Sequence, residues 1–151
     1  MITILAIGRK HEDWIQPGLD RYEKRLKQPW DVRWELLPHS SLDGQQARQE
    51  ESERLLKRLD TSTIVVLLDE TGKQLDSPTL ADYCEQQFNH GKSMTFIIGG
   101  AFGVTEELKT RVDFVWSLSP LVFPHQLVRL ILIEQLYRAQ EITRGGQYHH
   151  S

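Results

Sequence analysis

Three segments of this sequence combine glycine, hydroxyl and acidic residues in ways that could hold a small ligand. Asp69 follows the apolar run TIVVLL, the glycine-rich segment 99–103 (GGAFG) follows MTFII, and segment 117–123 (SLSPLVF) follows FVW. Glycines let a ligand approach the backbone, although a strand-to-helix turn requires the same residues, and Asp69 also suits a turn. No lysine–serine pair of a phosphate-binding loop follows the glycine-rich segment, and Glu106 and Glu107 would repel phosphate. We therefore expect that the edge of the ligand facing this segment is neutral or cationic.

Four polar side chains near the C-terminus could act on a substrate: His125, Arg129, Tyr148 and His149. The first two lie one turn apart at the start of an apolar helix, where a guanidinium must find a partner or face a site, because burying it unpaired is costly. Tyr148 could stack on a nucleobase and the neighbouring histidines could meet phosphate, although short terminal segments are commonly frayed. The adjacent histidines lack a third ligand at usable spacing, so no metal site is predicted.

Apolar runs and helical patterns alternate along the chain, which predicts the elements that position these groups. We expect strands at 2–7, 32–37, 63–68, 94–98 and 114–117, with helices at 16–27, 45–59, 77–88, after 105 and from 124 to 142. Such alternation is typical of an α/β fold: a single domain with a mainly parallel sheet and helices on both faces. Because parallel strands end at one edge of the sheet, Asp69 and the segments 99–103 and 117–123 should form one pocket.

Three local expectations accompany this fold. Segment 69–73 (DETGK) is predicted to be a turn, and Ser77 is predicted to cap the helix that follows. The charged helix 45–59 is expected to lie on the surface. Its cationic side chains, which include Arg48, are expected to form a solvent-exposed face and not an RNA-binding patch. The last helix is apolar around most of its circumference, which predicts burial on nearly all sides and therefore a second subunit in a homodimer.

Size and composition restrict the possible classes of protein. The 151 residues fit one domain, 1–151, and the net charge of −3 means that any contact with RNA must come from a local patch. A single cysteine, Cys84, excludes an internal disulfide, and no dinucleotide-binding glycine fingerprint follows the first strand. No signal peptide and no uncharged stretch long enough to span a bilayer is visible, so we expect a cytoplasmic protein without a membrane contact.

An ordered set of motifs along the chain resembles one known family. The chain carries ITILAIGRK at its start, LDETGK at 68–73, IGGAFG at 98–103, SLSPLVFPHQLVR at 117–129, EQLYRA at 134–139 and YH at 148–149. Together these resemble the RlmH family, which are large-subunit ribosomal RNA pseudouridine N3-methyltransferases of the SPOUT class. The likeness covers nearly the whole chain, and the tail departs from it, because members commonly have glutamate and proline in place of Gly146 and Gln147.

The resemblance implies a trefoil-knotted C-terminal region, formed by segment 117–123 and the last helix. It implies that S-adenosyl-L-methionine binds in the pocket and that the protein is a homodimer. The substrate implied is a pseudouridine of large-subunit (23S) ribosomal RNA, modified on the assembled large ribosomal subunit or 70S ribosome. The cofactor contacts implied by position in the motifs are Leu68, Gly99, Leu118, Ser119, Pro120, Leu121, Val122 and Phe123.

The same resemblance implies a one-step methyl transfer that needs no metal, with His125, Arg129, Tyr148 and His149 near the methyl acceptor. A nearby base or water would accept the N3 proton, and Arg129 could stabilise negative charge on the deprotonated nucleobase. Two alternatives stay open at this point. One is a ribosome-binding factor that kept the fold and lost the chemistry, and the other is an enzyme of the same class with a different RNA target.

Overall fold

Five parallel strands form the centre of the computed structural model, which describes residues 1–150. They are β1 (Ile2–Ile7), β2 (Val32–Leu37), β3 (Ile64–Gln74), β4 (Met94–Ile98) and β5 (Phe114–Ser117). Their order across the sheet is β2-β1-β4-β3-β5, and every neighbouring pair is parallel. The predicted parallel sheet is confirmed, and β4, the strand before the glycine-rich segment, is buried along its whole length.

Helices cover both faces of this sheet. They are α1 (Gln16–Glu23), α2 (Gly44–Lys57), α3 (Ser77–Asn89), α4 (Glu106–Thr110) and α5 (His125–Thr143). Successive residues of a strand point to opposite faces, so Phe96 joins the core that α1, α3 and α5 cover, whereas Ile97 joins the core beneath α2 and α4. The predicted α/β class with helices on both faces is therefore confirmed.

The last helix, α5, presents one buried stripe and one partly exposed side. The stripe consists of residues with 0% exposed surface: Arg129, Leu132, Ile133, Leu136, Ala139 and Gln140. Leu127 and Ile131, on another side of the helix, are only partly buried in the single chain. One chain thus covers part of this apolar helix and leaves the rest accessible to a partner surface.

The predicted turn at 69–73 is wrong, because β3 continues through it to Gln74. The pairing of β3 with β5 shifts register there, so that both Leu68 and Lys73 lie opposite Trp116. The residues between them bulge out of the ladder, as turn-forming residues permit, and the strand then resumes its pairing. Gly72 lies tightly against β5, since a Cβ atom at this position would lie 2.5 Å from the carbonyl oxygen of Val115.

The end of α1 and the cap of α3 also differ from prediction. The helix expected to reach residue 27 ends at Glu23, because the following amides bond three residues back and the side chain of Gln140 binds the backbone there. Its Oε1 accepts a hydrogen bond from Lys27 N over 2.7 Å, and its Nε2 donates one to Arg25 O over 3.0 Å. The cap of α3 is Asp76 instead of Ser77, with its carboxylate accepting a hydrogen bond from Thr79 N over 2.9 Å.

Candidate functional site

A cleft of about 900 Å³ opens where β3, β4 and β5 end. Leu68 and Asp69 contribute from β3, the segment 98–104 from β4, and residues between Leu118 and Val128 from the chain that follows β5. The structure therefore brings the three predicted segments together at one edge of the sheet. Every residue predicted to contact the cofactor lines this cleft except Pro120, which is exposed to solvent.

The wall that follows β4 is formed largely by backbone. Gly100 and Gly103 form an isolated bridge, with Gly103 N donating to Gly100 O over 3.1 Å, and Gly103 has a φ of +79° that favours glycine. A Cβ atom on Gly99 would lie 2.8 Å from Cγ1 of Val104. The glycines are thus required by the tight path of this segment, and they also leave its backbone accessible to a ligand.

Serine side chains shape the opposite wall of the cleft. The hydroxyl of Ser117 donates to the carbonyl oxygen of Ser119 over 3.0 Å, and the hydroxyl of Ser119 accepts from Leu121 N over 3.0 Å. These bonds turn the chain and leave Leu121 and Val122 68% and 78% exposed at the rim. An exposed apolar rim beside a cleft provides contact area for the flat apolar part of a ligand.

Charged groups lie at the floor and edge of the cleft. Lys109 Nζ lies 3.6 Å from a carboxylate oxygen of Asp69 and 3.4 Å from one of Glu106. The same Asp69 oxygen accepts a hydrogen bond from Thr71 N over 3.0 Å. Asp69 therefore serves the bulge of β3, as its turn-forming character suggested, and also contributes a carboxylate to the cleft.

His125 lines the cleft at the first position of α5. Its Nδ1 is buried without a hydrogen-bond partner among residues 1–150. Burial lowers the pKa of this imidazole, and the nearby charges of Arg129 and His39 lower it further. The ring is therefore neutral near pH 7 and can accept a proton.

Arg129 lies beneath the site and binds the end of β1 instead of lining the cleft. Its Nη2 donates to the carbonyl oxygens of Ile7 and Gly8 over 2.9 and 3.1 Å, and its Nη1 donates to Lys10 O and to Nδ1 of His11 over 3.1 Å each. The buried guanidinium thus finds its partners in backbone carbonyls, as the cost of burying it requires.

The C-terminal tail folds back along α5. Gly145, with a φ of +72°, reverses the chain after the helix, and Gly146 N donates to Glu141 O over 2.8 Å. The ring of Tyr148 then packs edge-on against Tyr137, with ring centres 4.8 Å apart. The tail is thus docked on the helix in the single chain.

Glu134 and Arg138, which form an ion pair at 3.1 Å, hold the end of this tail. The Tyr148 hydroxyl donates to Glu134 over 3.2 Å, and the Arg138 guanidinium lies 4.8 Å from the Tyr148 ring centre and 3.1 Å from Nδ1 of His149. Burial first, with added contributions from Tyr22 and the Glu134 charge, raises the pKa of Tyr148, so its hydroxyl remains protonated at neutral pH.

Tyr148 and His149 do not reach the main cleft of their own chain. His149 instead lines a second cavity of about 570 Å³, together with Ser77, Gln135 and Ile131. Leu118 and Phe123 line both cavities, so the segment after β5 separates the two. The four predicted catalytic residues therefore lie apart: His125 in the cleft, Arg129 at the buried end of β1, Tyr148 against the side of α5 and His149 at the second cavity.

Among the lining residues that sequence reasoning missed are two cationic side chains, Arg48 and Lys109. The sequence predicts that Arg48 lies on a solvent-exposed face, but its Nε donates a hydrogen bond to the carbonyl oxygen of Phe102 over 2.8 Å. No pattern in the charged helix distinguishes it from its neighbours. Lys109 was foreseeable, because Thr105, a residue type that commonly caps helices, precedes the predicted helix, and a lysine one turn into that helix must lie near the carboxyl edge of the sheet.

Residues 1–150 contain neither a metal-binding cluster nor a membrane-spanning helix. Within this range, no group of three histidine, cysteine, aspartate or glutamate side chains is placed to bind a metal ion. None of the helices in the same range combines the length and apolar character that crossing a bilayer requires.

Comparisons with known proteins identify the family. The model of the family described as "Predicted SPOUT methyltransferase" matches residues 1–149. A protein of Acetivibrio thermocellus named ribosomal RNA large subunit methyltransferase H is 44% identical, with 98% of each chain covered. Proteins of the same name from Desulfitobacterium hafniense and Geobacter metallireducens are 40% and 39% identical, with 98% and 99% of each chain covered. The resemblance carried by the sequence motifs is thus confirmed, and the chain belongs to the SPOUT methyltransferase family.

Proposed function

We propose that this protein is an S-adenosylmethionine-dependent methyltransferase that modifies N3 of a pseudouridine in large-subunit ribosomal RNA. Membership of the SPOUT family and the names of relatives at about 40% identity over nearly the full length support this proposal. The structural observation that carries it is the cleft at the ends of β3, β4 and β5, between the glycine-rich segment and the apolar rim.

The cleft fits the proposed cofactor in size and in the chemistry of its walls. Its volume of about 900 Å³ lies within the usual range for small-molecule sites. Gly99 leaves the backbone open to hydrogen bonds from an adenine edge, and Leu121 and Val122 offer apolar area to its faces. Asp69 places a carboxylate at the same cleft, which favours a cationic ligand over a phosphate.

When bound, S-adenosylmethionine supplies a methyl group on a sulfonium, an electrophile that needs neither a metal nor a covalent enzyme intermediate. The protein's contribution is then to align the acceptor nitrogen and to take up its proton. We assign proton acceptance to His125, because it lines the cleft and its lowered pKa keeps it neutral. For Arg129 we propose a positioning role, since its contacts with backbone carbonyls hold the start of α5 in place.

We further propose that segment 117–123 and α5 form the trefoil knot of the family. The chain leaves β5 at one edge of the sheet, and α5 then returns across it to bind the end of β1 through Arg129. This return of the last helix towards β1 supports the proposal, because a knot needs the final segment to pass back through an earlier loop, an arrangement that is rare in proteins.

A homodimer would complete the site. We propose that the partly exposed side of α5 near Ile131 packs against a second subunit, and that Tyr148 and His149 serve the substrate at the dimer contact. The place of His149 at the second cavity, which Leu118 and Phe123 also line, supports this arrangement. Ile131→Glu should give a monomer in sedimentation, whereas an intact dimer would refute the assigned face.

The decisive experiment uses ribosomes from a strain that lacks this protein. The purified protein and S-adenosylmethionine are incubated with 70S ribosomes, free large subunits or protein-free RNA, and the digested RNA is analysed by mass spectrometry. We expect one pseudouridine to gain a methyl group at N3, with the best yield on assembled particles. A methyl group on another nucleotide would indicate a different target, and ribosome binding without any product would indicate a non-catalytic factor.

A further inference from the structure

One face of α2 contacts the glycine-rich wall of the cleft along its length. Glu51 and Ser52 follow Arg48 by three and four residues, so all three side chains project from the same side of the helix. Each of them lies against a different part of segment 100–105. These contacts connect α2, which the sequence predicts to be only a surface helix, with the backbone of the proposed cofactor wall.

Arg48 holds the tip of the segment. Its Nε donates a hydrogen bond to the carbonyl oxygen of Phe102 over 2.8 Å, across 54 positions of sequence. Arg48 takes part in no ion pair within residues 1–150, so this bond is the polar contact that orders its guanidinium. A charged donor to a carbonyl is stronger than a neutral one, which suits a contact near solvent.

Ser52 holds the end of the segment, where it enters α4. Its side chain is only 1% exposed, and its hydroxyl accepts a hydrogen bond from Thr105 N over 3.0 Å. Thr105 in turn caps α4, with its hydroxyl accepting from Leu108 N over 3.3 Å. The buried serine therefore sets where the glycine-rich segment stops and the helix begins.

Glu51 fills the space beneath the segment. It is 3% exposed, and one carboxylate oxygen accepts a hydrogen bond from Ser40 N over 2.9 Å. The other oxygen lies directly beneath Gly100, in the position that a side chain there would occupy, and has no hydrogen-bond partner within residues 1–150. The glutamate thus supports the segment from below while it joins α2 to the chain after β2.

We propose that Arg48, Glu51 and Ser52 are positioning residues, which hold the backbone of segment 100–105 in the shape that binds S-adenosylmethionine. This inference rests on the proposed function of the cleft. Glycine-rich backbone has many accessible conformations, so ordering it in advance lowers the entropy cost of binding. Loss of these contacts should weaken cofactor affinity more than it lowers the rate constant at saturating cofactor, because the contacts act on the backbone of the cleft wall.

Arg48→Met and Ser52→Ala test the proposal, with Arg54→Met as the matched control. Arg54 also lies on α2 and donates to a loop carbonyl, that of Pro38, over 2.9 Å, but it does not touch the glycine-rich segment. We expect each test variant to raise the Kd and the KM for S-adenosylmethionine about threefold to tenfold. In Ser52→Ala, whose side chain does not line the cleft, kcat should stay within about twofold of the parent. Arg48→Lys, which keeps a charged donor, should recover most of the loss.

Hydrogen exchange of the amides of segment 100–105 separates this proposal from the proposed function, because it needs no cofactor. We expect faster exchange there in both test variants and no change in Arg54→Met. Equal affinity and equal exchange in all variants, or an equal loss in the control, would overturn the positioning role. Absence of any cofactor binding by the parent protein would instead overturn the proposed function, and the exchange data would still decide whether α2 orders the segment.

Discussion

Arg129 donates a hydrogen bond from Nη2 to the carbonyl oxygen of Ile7, 2.9 Å away, and so joins the start of the last helix to the end of the first strand. Neighbouring bonds to Gly8 and Lys10 extend this contact along the chain that leaves β1. The guanidinium has 0% exposed surface, so carbonyl oxygens and His11 replace water around its charge. We therefore expect this buried contact to contribute to the stability of the fold.

Arg129→Met should lower the free energy of unfolding by about 3 kcal/mol, because several buried carbonyl oxygens would lose their donor. Arg129→Lys should cost less, since an ammonium keeps the charge but cannot reach every carbonyl as the planar fork does. Urea unfolding followed by circular dichroism measures both. Changes below about 0.5 kcal/mol in both variants would mean that the contact is not structural.

Stability should fall as the pH drops below neutral, because two histidines are held neutral in the fold. Burial first, and then the charge of Arg129, lower the pKa of both His11 and His125. The unfolded chain, with histidine pKa values of about 6.5, then binds protons more readily than the native state. The stabilisation is therefore complete above the unfolded pKa and is lost progressively as the pH falls from that value through the lower pKa of the folded state.

Urea unfolding between about pH 7.5 and 5 tests this dependence. The double variant His11→Gln, His125→Gln should lose less stability over that range than the parent does. His90→Gln, at the exposed end of α3, serves as the control and should follow the parent. An identical slope in the double variant would assign the acid sensitivity to other groups.

Gly99→Val should abolish binding of S-adenosylmethionine. A Cβ atom at this position would lie 2.8 Å from Cγ1 of Val104, so the added side chain must displace the wall of the cleft. Calorimetry should show a loss of affinity of at least about a hundredfold, and urea unfolding should confirm that the variant is folded. Unchanged affinity would contradict the assignment of this wall to the cofactor.

Deletion of residues 147–151 should spare cofactor binding and stop methylation of ribosomes. Among the tail residues His149 lines the second cavity and none lines the main cleft, so removal of the tail spares the proposed cofactor walls. Tyr148→Phe is a more limited variant for the same assay. It removes only the 3.2 Å hydrogen bond to Glu134 and keeps the aromatic ring. Full turnover by the truncated protein would exclude a role of the tail in catalysis.

The framework of the site was predictable because it depends on local patterns. Continuous apolar runs predicted each strand within a residue or two at its start, and parallel strands necessarily bring Leu68, Gly99 and Leu118 to one edge. Thr105 was identifiable as a cap from its position before two glutamates. The ordered motifs then identified the family, which no single spacing could have done.

The remaining features depend on contacts between distant parts of the chain. Residues 69–73 have turn chemistry, and only the pairing with β5 reveals that they are a bulge within β3. Arg48 resembles every other cation on α2 until the carbonyl oxygen of Phe102 is placed beside it. The place of Tyr148 follows from Gly145 reversing the chain onto α5, a direction that the tail's composition does not specify.

The buried arginine contact also constrains when this protein can finish folding. Arg129 and Ile7 are 122 positions apart, and Gln140 similarly binds the backbone of Lys27 across 113 positions. During synthesis, Ile7 and Lys27 are made long before Arg129 and Gln140, whose side chains bind their backbone, have left the ribosome. Native assembly must therefore wait until α5 has been made, and its rate should be slow, because contacts between segments far apart in sequence slow folding.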